Sequence, residues 1–433
     1  MTTKMVFHGS DIEKICAYYH LNKEDIVKFG ANVNPLGLSA SVKKEIAENI
    51  DLFSSYPDRD YVSLRNTIAA YCQIPAEFIL PGNGSSELIS LLIQERAPKH
   101  TLILGPTYSE YSRELSFSGS TQEYYHLQEE RNFTLDVDDL CKILEKGYDF
   151  LIICNPNNPT SSAIMQEDLR KLIAFCAEKN IFVMIDETYV EFAPDINAVT
   201  AVPLTREFTN LMVLRGISKF YAAPGMRLGY GITGNREFLA KMKEKQTPWS
   251  LNSLGAFAGE KMLLDHDYFR RTRELILGER DRMETELKKL PIFKVYPAYA
   301  NFILLKIQKE GLTSADVFEA CIDGTLDQID LQFADNACVC IVLASNGYPV
   351  SYEKGFPIRG LETFKEHEGY YCFHAGTKFK DGEIVTNGGR VLGVTALGDT
   401  LKEARANAYK AVDWVDFDNK YYRHDIGKAI DEA

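Results

Sequence analysis

The sequence has no apolar run approaching the length of a membrane span, no internal repeat and no low-complexity tract. Its formal net charge of 48 − 61 = −13 argues against a general nucleic-acid or anionic-membrane binder. Hydrophobic residues make up 45% and charged residues 25%, an ordinary globular composition. A chain of 433 residues exceeds what one hydrophobic core usually serves, so we expect two or three domains and neither a nucleic-acid nor a membrane partner.

The nine cysteines are scattered, and the sequence contains neither Cys-x-x-Cys nor a Cys/His cluster with zinc spacing. No metal site is therefore predicted. The beginning, MTTKMVFHGSD, lacks the apolar core of a secretory signal. Reduced thiols in a cytoplasmic protein are the simplest interpretation.

Short apolar runs alternate with amphipathic stretches of helix length through most of the sequence. The runs at 101–104, 150–154, 181–185 and 211–214 read as buried strands, and 166–179 has helical spacing. Strand, helix and strand in this order predict a mostly parallel α/β sheet. Ligands bind at the carboxyl ends of such strands, so the residues that follow each run are the candidates for chemistry.

Five polar segments follow these predicted strands or lie near them. They are 82–87 (GNGSSE), 106–108 (PTY), 155–160 (NPNNPT), 186–189 (DETY) and 218–230 (SKFYAAPGMRLGY). Each alone is weak evidence, because a glycine-rich turn, a capping aspartate and a surface lysine are common. The first segment fails as a dinucleotide fingerprint, since Glu87 stands where the third glycine should be.

Taken in order, the five segments resemble the fold-type I pyridoxal-phosphate (PLP) enzymes, and within them the branch of histidinol-phosphate aminotransferase and threonine-phosphate decarboxylase. Further matches are 8–11 (HGSD), 31–37 (ANVNPLG) and 56–58 (YPD). The resemblance covers about residues 6–322. It implies a PLP-transferase fold with a mostly parallel central sheet, and PLP as the cofactor.

The resemblance also implies a role for each catalytic position. Lys219 forms the imine with the cofactor and then shuttles a proton at the substrate carbon. Asp186 faces the pyridine nitrogen and keeps it protonated. Tyr189 and Asn158 donate hydrogen bonds to the ring 3′-oxygen, which tunes the imine pKa. Tyr108 lies over the ring face, although a core tyrosine is a real alternative there.

A second set implied by the resemblance binds the cofactor phosphate and the substrate. Ser85 and Ser86 open a predicted helix, whose N-terminal amides favour anions. Further expected ligands are a hydroxyl and a cation on the same chain, a tyrosine from a partner subunit, and substrate contacts near the start of the chain. The hydroxyl and the cation are Ser218 and Arg227. The partner tyrosine is Tyr56, which implies a homodimer. The contacts for an amino-acid substrate are His8, Gly9, Asn32 and Asn158.

The resemblance stops where the family should complete its small domain. A later strand there carries an arginine that clamps the substrate carboxylate, and this sequence lacks that segment. Arg359, Arg390 or Arg423 could replace it only by coincidence. Without carboxylate anchoring, the site is expected to lose control over which bond of the substrate reacts. We predict an arm at 1–35, a PLP-binding domain at 36–246, a partial small domain at 247–322 and a separate module at 323–433.

The final module resembles the C-terminal domain of phosphoribosylamine–glycine ligase. The matching segments are 342–349 (VLASNGYP), 373–377 (FHAGT), 386–392 (TNGGRVL) and 421–427 (YYRHDIG). Predicted strands at 338–343 and 371–374 and a helix at 400–412 indicate an α+β fold. The ATP-grasp segments of that ligase are not visible in the sequence. The join indicates a fused or recombined gene, or an error in assembling the sequence.

Four functions follow, in order of preference. The first is a PLP-dependent aminotransferase acting on an amino acid or its phosphorylated relative. The second is a threonine-phosphate decarboxylase, which would use the same residues. The third is a chimera that binds PLP without turnover, and the last is the ligase activity.

Overall fold

The computed structural model describes residues 12–26, 30–308, 312–323, 336–380 and 382–428, and the chain divides into two compact units, Met1–Asp327 and Gln328–Ala433. No helix in these ranges is long and apolar enough to cross a bilayer. The finer division of the first unit at residues 35, 246 and 322 stays a prediction.

The first unit contains twelve α-helices and nine strands within its described residues. The helices are α1 Ile12–Tyr19, α2 Ala40–Glu48, α3 Val62–Cys72, α4 Gly84–Arg96, α5 Glu110–Ser118, α6 Val137–Leu144, α7 Gln166–Glu178, α8 Ile196–Val199, α9 Arg236–Lys245, α10 Ser253–Leu264, α11 His266–Leu287 and α12 Ser314–Asp323. The strands are β1 Ile79–Asn83, β2 His100–Gly105, β3 Thr121–His126, β4 Phe150–Cys154, β5 Phe182–Asp186, β6 Leu211–Gly216, β7 Leu228–Ile232, β8 Phe293–Val295 and β9 Leu305–Ile307.

Seven of these strands form one central sheet in the order β1-β7-β6-β5-β4-β2-β3. Strand β7 runs antiparallel to both neighbours, and the other pairings are parallel. Strands β1, β2, β4, β5 and β6 therefore all end at the same edge of the sheet. Every segment predicted to carry chemistry follows one of these five strands, so the topology brings them together.

The inner strands of the sheet are buried on both faces, which explains why they are mostly apolar, whereas the edge strand β3 is largely exposed and polar. Along β4, Leu151 and Ile153 join one hydrophobic cluster, whereas Phe150 and Ile152 join another on the opposite face. This is the pattern expected of a parallel sheet covered by helices on two sides. The predicted strands and the predicted helix are confirmed as β2, β4, β5, β6 and α7.

The apolar run at 301–306 (NFILLK) also predicts a strand, but it becomes a strand only from Leu305. The backbone just before this run is bonded elsewhere. The Ser161 hydroxyl accepts hydrogen bonds from the amides of Tyr299 and Ala300, and the Ala300 carbonyl accepts one from Arg280. These bonds hold the stretch as a loop against the central sheet domain.

The second unit is an α+β module, as predicted. Its elements are β10 Ala337–Ser345, β11 Tyr370–His374, β12 Thr377–Lys380, β13 Glu383–Thr386, β14 Arg390–Gly398, α13 Leu401–Val412 and β15 Lys420–Tyr421. Strands β11, β14, β10 and β15 form an antiparallel sheet, and β12 and β13 form a hairpin. Residues Ile341, Val394 and Ala408 belong to its own buried core.

Candidate active site

Asp186 occupies the last position of β5 and is buried, with 4% of its surface exposed. Its Oδ2 atom accepts a hydrogen bond from the Tyr111 hydroxyl at 2.8 Å. Its Oδ1 atom accepts from the Thr188 amide at 2.9 Å and from the Thr188 hydroxyl at 2.6 Å. Burial nevertheless raises the pKa of Asp186, so this carboxylate would gain from a cationic partner.

A buried ion pair lies directly behind Asp186. The guanidinium of Arg215 in β6 donates to the Glu187 carboxylate from Nε at 2.9 Å and from Nη2 at 2.7 Å. The Thr200 hydroxyl and the Ala201 amide complete the shell around that carboxylate. Since the two side chains are 0% and 6% exposed, the pair joins the ends of β5 and β6 inside the protein.

An aromatic side chain stands beside the carboxylate. Tyr108 is half-buried and meets the Tyr111 ring edge to face, with centroids 5.6 Å apart. Burial raises the pKa of Tyr108; the Asp186 charge adds to this shift and the Arg227 charge opposes it. Tyr108 is thus within electrostatic reach of both the buried acid and a cation.

Lys219 lies just after β6, at the same edge of the sheet. Its Nζ atom donates to the Ala31 carbonyl at 2.5 Å, and its own carbonyl accepts from the Asn34 amide at 3.0 Å. Burial lowers the pKa of Lys219, so the amine loses its proton more readily than an exposed lysine. A lysine of this kind is suited to nucleophilic attack on a carbonyl carbon.

Tyr189 is buried at the same edge, and the Asn32 side chain lies close enough to influence the pKa of Tyr189. The carbonyl of Asn32 in turn accepts a hydrogen bond from the Asn301 amide at 2.9 Å. Burial is the largest cause of the raised pKa of Tyr189, so its hydroxyl stays protonated and remains a donor at neutral pH. The structure thereby brings the predicted residues Tyr189 and Asn32 close together.

The start of α4 forms a cradle beneath a cation. A Cβ atom placed on Gly84 would lie 2.3 Å from Nη2 of Arg227, so the guanidinium rests against this glycine. The φ angle of Gly84 is +78°, which also favours glycine. Ser85 and Ser86 belong to the first turn of α4, beside this charge. Helix amides, hydroxyls and a fixed cation together make an anion site.

The loop after β4 contains Asn157 and Asn158, and their contacts show which of the two is available to bind a ligand. Asn157 uses its amide nitrogen for the Pro106 carbonyl at 2.9 Å and for the Thr160 hydroxyl at 2.8 Å. The neighbouring Asn158 is half-buried, and among the described residues its side-chain amide has no protein partner. Asn158, rather than Asn157, is therefore free to bind a ligand.

Apart from Ser218, the remaining predicted residues are not gathered at this edge. Ser218 is half-buried next to Lys219. Tyr56 is 81% exposed and packs on Trp249, with centroids 4.9 Å apart. His8 and Gly9 lie outside the described residues. The three arginines that could replace the clamp only by coincidence, Arg359, Arg390 and Arg423, belong to the second unit, where Arg423 is paired with Asp425 at 2.7 Å.

Several contributors were missed from the sequence. Tyr111 and Thr188 are the donors to Asp186, and Arg215 compensates Glu187. Tyr111 could have been found, because it stands three positions after Tyr108 where a helix begins. The partner of Glu187 could not, since it lies 28 positions away on another strand.

The arrangement fits a PLP molecule. A buried acid for the pyridine nitrogen, an aromatic ring, an amine and an anion cradle all lie at one edge of the sheet. The Gly84 cradle is direct structural support, because any side chain there would displace the guanidinium of Arg227. No cluster of metal-ligating side chains occurs among the described residues.

Two family profiles match the chain. Aminotransferase class I and II matches residues 24–325, and the C domain of phosphoribosylglycinamide synthetase matches residues 338–429. Both matches correspond to the resemblances found in the sequence.

Individual proteins give the same picture of the first unit. The threonine-phosphate decarboxylase of Salmonella typhimurium is 34% identical over 305 residues, which cover 70% of this chain and 83% of that protein. The histidinol-phosphate aminotransferase structure from Clostridium acetobutylicum is 32% identical with a TM-score of 0.63, covering 68% of this chain and 86% of that one. The Sinorhizobium meliloti enzyme of the same name, solved with pyridoxal-5′-phosphate, shares the fold at 20% identity, a TM-score of 0.59 and coverages of 69% and 79%.

Proposed function

The chain belongs to the class I and II aminotransferases, a PLP-dependent family, and from this premise we propose that it acts on the amino group of an amino acid or of a phosphorylated amino-acid relative. One observation carries the proposal. The half-buried amine of Lys219 and the buried carboxylate of Asp186 follow neighbouring parallel strands, with an anion cradle at the same edge.

The residues divide the work of holding the cofactor, which supplies an electron sink when it is bound. Asp186 holds a proton at the ring nitrogen, because a buried carboxylate is stabilised by that positive charge. Tyr189 and Asn158 donate to the ring oxygen, and Tyr108 covers a face of the ring. Lys219 holds the cofactor and moves a proton at the substrate carbon.

The phosphate is held by a separate set on α4 and near Lys219. Arg227 provides the permanent charge, and the hydroxyls of Ser85, Ser86 and Ser218 supply uncharged donors. The amides of the first turn of α4 add the partial positive charge of a helix start. This set binds an anion irrespective of the reaction that follows.

Two reactions use this site equally well. Transfer of the amino group is supported by the family and by the histidinol-phosphate aminotransferase structure. Decarboxylation of threonine phosphate is supported by the Salmonella relative, which has 34% identity. Incubation with glutamate plus keto acids, and separately with threonine phosphate, distinguishes a keto-acid product from released carbon dioxide. Turnover with neither would favour a PLP-binding chimera over both.

Binding of the substrate carboxylate needs residues beyond the cofactor site. In the first unit, Arg280 donates to the carbonyls of Phe192 and Ala300, and Arg273 to those of Glu191 and Ala193. Both arginines are thus occupied by the protein itself. Asn32, His8 and Gly9 are our proposed substrate contacts.

We also propose a homodimer with shared sites in a reducing compartment. An 81% exposed tyrosine, Tyr56, stacked on Trp249 supports the first point, because such an aromatic pair is typical of an interface. All nine cysteines are free thiols, which supports a cytoplasmic location. Sedimentation velocity of the full chain measures the oligomeric state, and a monomer at micromolar concentration would contradict the first point.

The decisive experiment is Lys219→Ala. Wild-type protein mixed with PLP should show a visible absorbance band and, after borohydride reduction, a cofactor mass on the peptide that contains Lys219. The variant should lose both signals. Lys171→Ala, at an exposed lysine on α7, is the matched control and should keep them. A band retained by Lys219→Ala would refute the assignment.

A further inference from the structure

A left-handed turn of the chain lies against the backbone that carries Lys219. Ala31 and Asn32 have φ angles of 71° and 48°, which residues other than glycine rarely adopt. This conformation places the Ala31 carbonyl 2.5 Å from Nζ of Lys219. The same turn places the Asn32 side chain close to Tyr189.

Asn34 attaches this turn to the lysine segment from two sides. Its backbone amide donates to the Lys219 carbonyl at 3.0 Å, and its side-chain amide donates to the Phe220 carbonyl at 2.8 Å. Its Oδ1 atom accepts from the Leu36 amide at 3.0 Å, which closes the turn. Asn34 is only 3% exposed, so these bonds form away from water, where an unmade hydrogen bond is expensive.

The Asn34 side chain also reaches α11. Its Nδ2 atom lies 2.9 Å from the Tyr268 hydroxyl and 2.9 Å from the Thr272 hydroxyl. With the Phe220 carbonyl this makes three acceptors for two hydrogens. One acceptor can therefore be removed without leaving the amide unpaired, whereas removal of the donor disconnects the turn from Phe220.

We propose that Asn34 is a positioning residue, which locks the Ala31–Asn34 turn onto the lysine segment so that the Ala31 carbonyl receives the Lys219 amine whenever that amine is not linked to the cofactor. This proposal rests on the proposed function and assigns a purpose to a segment outside the sheet. The carbonyl keeps the displaced amine at the site, ready to move a proton, instead of letting it turn toward solvent. It also links the substrate contact Asn32 to the catalytic lysine through one short turn.

The test uses the full chain in two forms. In the cofactor-free protein, trace labelling with acetic anhydride across a pH series, read by mass spectrometry, gives the pKa and the reactivity of Lys219. In the PLP-loaded protein, borohydride reduction gives the fraction of cofactor linked to Lys219. The first measurement works even if the chain proves unable to bind PLP, so failure of the turn proposal and failure of the proposed function are distinguishable.

Asn34→Asp keeps the size of the side chain and removes the donor to Phe220, but it also adds a carboxylate whose charge would itself raise the pKa of Lys219. The uncharged change Ala31→Val, described below, must therefore show the same effect. We expect the titration midpoint of Lys219 to rise toward that of an exposed lysine, and the linkage constant for PLP to fall by about tenfold. Thr272→Val removes one of the three acceptors and should leave both measurements as in the wild type. If Asn34→Asp and Thr272→Val lower the melting temperature equally and neither alters the Lys219 measurements, Asn34 is merely structural and the proposal is wrong.

A second variant guards against misfolding of Asn34→Asp. Ala31→Val puts a β-branched side chain on an exposed, left-handed residue, which should displace the turn and reproduce the Lys219 effects. Gln73→Val makes the same change at an exposed left-handed residue at the end of α3, remote in sequence from Lys219, and should have no effect on it. Equal behaviour of Ala31→Val and Gln73→Val would overturn the proposal.

Discussion

The buried carboxylate of Asp186 predicts a conflict between stability and cofactor binding. Burial raises its pKa above the usual value, so the folded, cofactor-free protein binds this proton more tightly than the unfolded chain does. The associated stability is full at low pH and is lost as the pH rises from the unfolded pKa, about 4, through the folded pKa. At neutral pH the ionised carboxylate of Asp186 therefore lowers the unfolding free energy of the cofactor-free protein.

Asp186→Asn removes this destabilising charge and keeps the local hydrogen bonds. The amide oxygen can still accept from Thr188, and the Tyr111 hydroxyl can accept from the new amide nitrogen instead of donating. The resulting gain in unfolding free energy at neutral pH should raise the melting temperature of the first unit, by roughly 2–4 °C for each kcal/mol gained. The same change removes the anion that we propose for the pyridine nitrogen, which should cost roughly 1.5–3 kcal/mol and weaken PLP binding roughly 10- to 150-fold.

The assay is thermal unfolding between pH 4.5 and 8, with and without PLP, and the transition of the first unit is identified as the one that PLP shifts. Asp136→Asn is the matched control of opposite sign. Asp136 caps α6 and is paired with Arg131, which lowers its pKa, so its loss should destabilise the protein at neutral pH. If Asp186→Asn lowered the melting temperature of the cofactor-free chain, or bound PLP as tightly as the wild type, the reasoning would be refuted.

Two further substitutions test the ion pair and the phosphate cradle. Arg215→Met leaves Glu187 buried without its partner and should cost about 3–5 kcal/mol in unfolding free energy, measured by urea denaturation. Arg236→Met breaks an exposed pair and should cost less than about 1 kcal/mol; similar losses in both variants would contradict the role of burial. Arg227→Gln should raise the dissociation constant of PLP about tenfold or more while that of pyridoxal, which has no phosphate, stays unchanged. Titration of the visible absorbance with each compound measures this, and equal weakening of both would show that Arg227 does not bind the phosphate.

The elements predicted correctly are those whose signal is local. The continuously apolar run of β4 and the helical spacing of α7 follow from burial on two sides and on one side, respectively. The late start of β9 could not be predicted from the apolar run itself. Just before that run, the amides of Tyr299 and Ala300 are bonded to Ser161, about 140 positions earlier, and a contact of this kind leaves no periodic pattern in the sequence.

The candidate site shows the same difference between features with a local signal and features that depend on distant residues. The positions of Asp186 and Lys219 follow from one rule, that functional side chains come directly after parallel strands. Their surroundings do not follow from it, since Tyr111, Arg215 and Asn34 reach Asp186, Glu187 and the Lys219 segment, respectively, from other elements through one or two hydrogen bonds each. Motifs therefore predict which groups do the chemistry, whereas packing decides how those groups are held.

The distribution of these contacts explains how a chain that joins two families can keep one chemical function intact. Each unit has its own buried core among the described residues. Within the first unit, the groups that we assign to the cofactor sit on strand ends and on α4, and all belong to the seven-stranded sheet domain. The groups that we assign to the substrate come instead from the turn at Asn32 and from residues 8–9. Joining a different C-terminal module at about residue 323 should therefore affect recognition of the substrate more than binding of PLP. We expect a cofactor affinity close to that of a complete aminotransferase, together with weak substrate binding.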